Sequence, residues 1–358
     1  MAYPIRRSKA PDPSQSALAI LATVIGAGFA SGREVMVFFS RFGRFSWVGV
    51  IITALTFGAL ISSIMRLCTR TRAVNYAGLC STILGPVAGR ACAALYALLM
   101  LFTAGAMASG VGEIAQITMT IPHAYEIGLV VAVIAAAIWA RRGVSALATG
   151  AGFLLPVSGL LYIIIAWRGP RYSYPLAAQP AVSWLPAIPL AIGYACLNVT
   201  LCCGLLSEIA SRSTIQFQRK TTLWFMPLLG GLLAAANATL LPHATRLGNA
   251  ALPMLMLARG SVPAALLATA ALLLAMMTTL TALIRSLAQF IAPDPPVGRV
   301  RMPPIVGFIT AAALAAGCGL IGFSHLIGVA YPLMGWASAA ALVGLLAVGF
   351  MRRNQECR

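Results

Sequence analysis

Apolar residues run along this chain in long continuous blocks, separated by short polar stretches. A bilayer-crossing helix needs about 20 mostly apolar residues. Ten blocks qualify: Ala17–Ser40, Phe45–Met65, Ala91–Met119, Glu126–Ala140, Ala146–Trp167, Trp184–Ala210, Thr221–Leu241, Val262–Phe290, Pro304–Gly322 and Leu326–Met351. The fourth is short. A membrane barrel would show strict alternation instead. The pattern therefore predicts an all-α polytopic membrane protein of about ten transmembrane helices.

The blocks divide five and five. Residues 1–16 form a polar tail, 17–167 a first five-helix repeat, 168–183 an external connection, 184–351 a second repeat and 352–358 a second tail. Thr71–Gly89 follows the second block and Pro242–Gly260 the seventh; each spans 19 residues and reads as a short interfacial helix. Five is odd, so the second repeat crosses the membrane in the opposite sense. Such inverted repeats recur in secondary transporters.

Composition agrees with this pattern. The chain is 60% hydrophobic and 9% charged, against about 25% charged for soluble domains. A water-soluble enzyme and a disordered chain are both excluded. The net charge of +18 would suit a nucleic-acid binder if it were clustered on one face. Sorted by block, it becomes a topology signal. With a cytoplasmic N-terminus, 18 of the 25 Lys and Arg fall in inside segments and 6 in outside ones, which obeys the positive-inside rule. Both termini are then cytoplasmic, in a multi-pass protein of the bacterial inner membrane, and nucleic acid is not a partner. The remaining basic residue, Arg33, lies within the first block.

That block holds the densest set of interruptions. It reads Gly26-Ala27-Gly28-Phe29-Ala30-Ser31-Gly32-Arg33-Glu34. Each glycine disfavours a helix interior by about 1 kcal/mol relative to Ala. A charged side chain in lipid costs at least about 2.5–3.5 kcal/mol. The spacing Gly28-x-x-x-Gly32 also fits close helix packing. The adjacent charges favour an unwound turn facing a polar cavity, where freed backbone groups bind a solute and a cation. The sixth block opens the second repeat and is the symmetry mate of the first. Gly193, Tyr194 and Asn198 lie near its middle, which predicts a second break there. Thr278 and Thr279 in the eighth block place hydroxyls at mid-membrane. They either bond their own i−4 carbonyls or offer oxygen ligands to Na+.

The Gly26–Glu34 stretch resembles the hallmark of the YkvI-like bacterial membrane proteins, near the amino acid–polyamine–organocation transporter superfamily. The resemblance implies the five-plus-five inverted repeat of LeuT-type transporters, with broken first and sixth helices. On that resemblance Gly26, Ala27, Gly28, Phe29, Ala30, Ser31 and Gly32 match the first-helix break, and Tyr194–Asn198 the sixth-helix break. Thr278 and Thr279 resemble the hydroxyl pair of sodium-coupled members. Arg33 lies one residue beyond a frequent outer-gate arginine, where Gln is more usual in the family.

Seven acidic residues occur in all. Asp12, Asp294 and Glu356 fall in tails or loops, Glu126 near a span end and Glu208 toward the cytoplasmic end of its span. Glu34 and Glu113 fall in the outer half of their spans, so either one fits a proton carrier or a gate. Arg33 and Glu34 are sequence neighbours and point about 100° apart on a helix, so Arg33 is expected to pair with Glu113. The histidines His123, His243 and His325 fall at outside loops with no carboxylate cluster. The eight cysteines form no C-x-x-C pair. No nucleotide-binding loop or catalytic constellation is present. The expectation is a non-enzymatic secondary transporter for a small solute, an amino acid or related carboxylate. It would have no cofactor, and Na+ or H+ as coupling ion. A solute sensor on the same scaffold is the alternative.

Overall fold

The first span folds as three short helices rather than one. The computed structural model describes residues 12–73, 76–142, 185–292 and 303–356. Within them α1 covers Pro13–Val24, α2 Ala27–Ala30 and α3 Arg33–Phe38. The chain leaves α1 through Ile25 and an extended Gly26 at φ −85°, ψ −175°. It re-enters at Gly32, whose φ of +80° is left-handed. Only glycine adopts that conformation without a steric penalty. The glycine-rich stretch therefore breaks the span at two points.

A 3₁₀ turn over Ser40–Phe45 leads into α4 (Ser46–Thr71). Then come α5 (Tyr76–Leu84), α6 (Pro86–Thr118) and α7 (Ala124–Arg142). The second part holds α8 (Ala187–Ser211), α9 (Ile215–Leu240), α10 (Ala244–Leu247), α11 (Pro253–Ala258), α12 (Val262–Ile291) and α13 (Pro304–Gly319). It ends with α14 (Phe323–His325), a π turn over Leu326–Ala330 and α15 (Tyr331–Glu356). Pro86, Pro263 and Pro304 lie in the first turns of their helices, where the missing N–H costs no intrahelical bond. The predicted fifth span, Ala146–Trp167, and the connection 168–183 lie outside the described residues. The connection after the second span holds the expected helix, α5. The one after the seventh holds two, α10 and α11.

Among the described residues, seven helices are long and apolar enough to cross a membrane. The first span is not among them because it is broken, and α13 has only 16 residues. Large apolar side chains such as Ile51, Leu55, Val131, Leu266, Ile309 and Val343 are more than half exposed on the outer surface of the bundle. Lipid solvates such a surface and water does not. The centre is α8, 78% of whose apolar window is buried, against 28–50% for the other spans. It packs against α4 and α15, and α1 packs against α9.

One expectation is overturned here. The sixth span is a single continuous helix of 25 residues, not a broken one. Its proline Pro189 lies in the first turn, where no intrahelical donor is lost. Gly193 and Gly204 are about three turns apart, too dispersed to unwind it. Gly193 serves packing: a Cβ built on Gly335 of α15 would stand 2.8 Å from the Gly193 carbonyl oxygen, so the two backbones touch. The Asn198 amide donates to the Tyr194 carbonyl of its own helix at 3.0 Å. Its polar group is thereby satisfied without a break.

Polar ties fix the ends of the bundle. Asn237 in α9 is fully buried. It accepts from the Ser40 hydroxyl at 2.9 Å and donates to the Ser46 hydroxyl at 2.8 Å. This joins the exit of the first span, the start of α4 and the end of α9. At the other end of α9, Gln218 donates to Thr69 of α4 at 2.9 Å.

Candidate functional site

The break in the first span is held open by its own side chains. The Ser31 hydroxyl donates to the Gly28 carbonyl at 2.8 Å and accepts from the Arg33 amide at 3.2 Å. The Ser31 carbonyl accepts from the Met254 amide of α11 at 2.9 Å. Ser31 thus shapes the break and ties it to the connection after the seventh span. Ala27, Gly28, Phe29, Ala30, Ser31 and Gly32 are all buried. Gly26 is half-buried, and no atom lies within 4 Å of where its Cβ would stand. Free space therefore adjoins the break at its α1 end.

At its α3 end the break is covered. Arg33 donates through one guanidinium nitrogen to the carbonyls of Gly248 at 2.6 Å and Ala250 at 3.1 Å. A Cβ on Gly32 would stand 2.9 Å from Met254 and 3.0 Å from Leu240. The π turn approaches from the other side, with the Cβ position of Gly328 only 3.8 Å from the Arg33 guanidinium. Pro332 follows that turn and cannot donate a helical N–H, which accounts for the local irregularity.

Glu34 supplies the charge. Its side chain is 5% exposed. It folds back over the Cα of Gly28, so that a Cβ there would meet the carboxylate and stand 2.6 Å from its carbon. The Tyr194 hydroxyl donates to Glu34 Oε2 at 3.1 Å. Aromatic rings surround Tyr194: Phe38 at 5.0 Å, Phe39 at 5.4 Å and Phe57 at 6.4 Å between centroids. Tyr331, 2% exposed, lies near Glu34 and beside Thr103, and its hydroxyl has no well-formed hydrogen bond. Among the described residues no basic side chain comes within 4 Å of Glu34. Among the described residues the close charged pairs are His123 with Glu126 at 3.8 Å and Arg212 with Glu208 at 3.6 Å, both exposed.

The structure sorts the predicted residues. It brings together Gly26–Gly32, Glu34 and Tyr194, and places Arg33 beside them as a clamp on the following connection. It separates Glu113, which does not pair with Arg33. Glu113 lines an open cleft of about 580 Å³ with Gln116, His123, Tyr125 and Glu126. The reason is geometric: the left-handed turn at Gly32 aims Arg33 at the carbonyls after α10 and not across at α6. Asn198 is used within its own helix. Thr278 donates to Leu274 and Ala275 of its own helix at 2.8 and 3.1 Å, and Thr278 and Thr279 are half-buried. Tyr331 and the aromatic shell were missed. The signal for Tyr331 was legible, because Gly328 and Pro332 interrupt the last span in the way that marks functional irregularity in transporter folds.

No protein-family model matches the chain. Over 354 residues it is 25% identical to the uncharacterized membrane protein YkvI of Bacillus subtilis strain 168, covering 95% of this chain and 97% of that one. It is 24% identical to YyaD of the same organism over 335 residues, covering 92% and 94%. Among solved structures it resembles an inward-facing conformation of Mhp1, with a TM-score of 0.67 and 18% identity, covering 98% of this chain and 81% of that one. It also resembles a substrate-bound, outward-open Na+-coupled sialic acid symporter, with a TM-score of 0.60 and 14% identity, covering 95% and 78%. At these identities the structural likeness is one of fold. The chain is thus a membrane protein similar to YkvI and YyaD along nearly its whole length, with LeuT-type structural neighbours.

Proposed function

We propose that the protein is an ion-coupled secondary transporter that works by alternating access and takes a small solute at the break of its first span. The observation that carries this reading is the break itself. It is a twice-interrupted span with a buried carboxylate folded into it, covered at one end by Arg33 and Met254 and adjoined by free space at the other, at Gly26. A covered end and a free end are what an alternating-access site presents in either of its end states. The neighbours in fold support the reading, since one is an inward-facing form and the other an outward-open Na+-coupled symporter.

The five-plus-five inverted repeat belongs to this reading, as does the bacterial inner membrane with both termini cytoplasmic. The α1 end of the break then faces the cytoplasm. Na+ is the favoured coupling ion. Thr278 donates its proton within α12 and keeps its oxygen lone pairs available to a hard cation, and α12 packs against α2 at the break. An amino acid is the favoured solute.

The test is reconstitution in liposomes and recording of solute-evoked currents on a supported membrane. A pool of amino acids is applied with a Na+ gradient, a pH gradient or neither. A saturable current that follows one gradient supports the transporter. Solute-dependent thermal stabilisation without any current or counterflow overturns it in favour of a non-transporting sensor.

A further inference from the structure

We propose that Cys80 and Cys92 form a binding site for a soft monovalent cation, Cu(I) by preference, which clips α5 to α6. The two residues meet across a helical hairpin. Gly85, at φ +87°, turns the chain back between α5 and Pro86 at the start of α6. The helices then touch: a Cβ built on Gly89 would stand 2.5 Å from Ser81 Cα and 2.8 Å from the Ser81 backbone nitrogen. Cys80 adjoins Ser81, and Cys92 lies one turn beyond Gly89 on the same face of α6. The Cys80 thiol is thereby brought within hydrogen-bond reach of the Cys92 thiol. Cys68 of α4 and Cys202 and Cys203 of α8 gather around the pair, and all five thiols are free and buried. No C-x-x-C spacing announces this site, because its two ligands come from different helices.

A second observation points to a ligand. The Tyr76 side chain is 2% exposed, and its hydroxyl has no well-formed hydrogen bond among the described residues. It is directed at the same thiols, Cys80, Cys92 and Cys203. A buried hydroxyl without an acceptor is costly. A neutral thiol is a weak acceptor, whereas a charged one makes a strong hydrogen bond. Tyr76 is thus placed to donate to a thiolate that forms when a metal binds, in the way that groups just outside the ligands orient them.

The pair fits one class of ion. Among the described residues no third His, Cys, Asp or Glu joins it closely enough to hold a metal, so Zn(II), which takes four ligands, is not satisfied. Two sulfurs in line suit a monovalent d10 ion, and sulfur ligands select Cu(I) over hard cations. Burial opposes a lone thiolate. The cation supplies the compensating charge, and a thiol that binds it as thiolate releases its proton. Cys92 is 7% exposed, beside the exposed Arg90 and Ala91, which gives the ion a way in. In the topology proposed above the hairpin lies on the cytoplasmic side, where thiols stay reduced.

The experiment uses the full-length protein in lipid nanodiscs, reduced and anaerobic. Cu(I) is presented as its bicinchoninate complex, and transfer is followed by loss of the colour of that complex. The unaltered protein is expected to take one Cu(I) per chain, with two sulfur neighbours by X-ray absorption. Cys80→Ser and Cys92→Ser each lose the copper, and Cys318→Ser keeps it. Tyr76→Phe weakens Cu(I) binding by about tenfold or more, without lowering Tm of the copper-free protein. No transfer of Cu(I), coordination by anything but two sulfurs, transfer retained in either serine variant, or unchanged affinity in Tyr76→Phe each overturns the proposal. The sulfur count and the Tyr76→Phe comparison decide the matter even if the serine variants fail to fold.

Discussion

Gly28→Ala adds one methyl group at the point where α2 meets Glu34. The new Cβ would stand 2.6 Å from Glu34 Cδ and 2.9 Å from Cγ, with an oxygen nearer still. Ordinary contact begins near 3.4 Å, so the carboxylate has to retreat by about 0.8 Å or more. Glu34 has little room, because it is buried and Tyr194 holds its other oxygen at 3.1 Å. Losing that bond costs about 0.5–1.5 kcal/mol if the carboxyl is neutral and about 1.5–3 kcal/mol if it is charged. Overpacking costs about 1–3 kcal/mol. Alanine returns at most about 1 kcal/mol of helix propensity, and less in a single-turn helix such as α2. The balance is a net destabilisation of about 0.5–6 kcal/mol, read as a fall of Tm in nanodiscs. Glu34→Asp shortens the side chain by one methylene, and Gly28→Ala/Glu34→Asp is expected to lose less stability than the two single changes summed. If Gly28→Ala keeps or raises Tm, Glu34 does not lie over Gly28 and the site is wrongly built.

Three further outcomes follow from the same structure. Arg33→Ala removes both hydrogen bonds to the connection after α9, so deuterium uptake by the segment around Gly248–Met254 rises by hydrogen-exchange mass spectrometry; unchanged uptake refutes the clamp. Gly335→Ala destabilises the protein by about 1–3 kcal/mol because its Cβ meets the Gly193 backbone at 2.8 Å. Gly193→Ala, whose Cβ finds its nearest neighbour at 3.7 Å, is tolerated; equal effects on Tm would show that the α8–α15 crossing is misplaced. Asn198→Ala lowers Tm slightly and leaves the solute-evoked current unchanged, since the amide serves the Tyr194 carbonyl of its own helix; loss of the current at unchanged expression would return Asn198 to the site.

Span positions were legible because each of them is a local property. Nine of the ten apolar blocks coincide with helical segments of the structure, and the fifth, Ala146–Trp167, lies outside the described residues. The break at Gly26–Gly32 was legible for the same reason. Extended and left-handed backbone conformations are stored in the glycines themselves, and an adjacent charge pair is incompatible with lipid. The supposed break in the sixth span came from symmetry reasoning. It failed because its two glycines are spaced for packing and not for unwinding. The Arg33–Glu113 pairing failed because it depended on a direction, which one left-handed residue reverses.

The sequence by itself determined that this is a helical membrane protein and that its first span is broken. Those are consequences of apolar length and backbone propensity, read over a few residues at a time. Only the tertiary structure decided what the charges at the break do. It set Glu34 on Gly28 under Tyr194 and gave Arg33 to the carbonyls of a connection more than 200 residues away. It also brought Tyr331 in from the last span. Burial and partnership are set by groups from distant parts of the chain, and no local pattern records which of them will share a desolvated space.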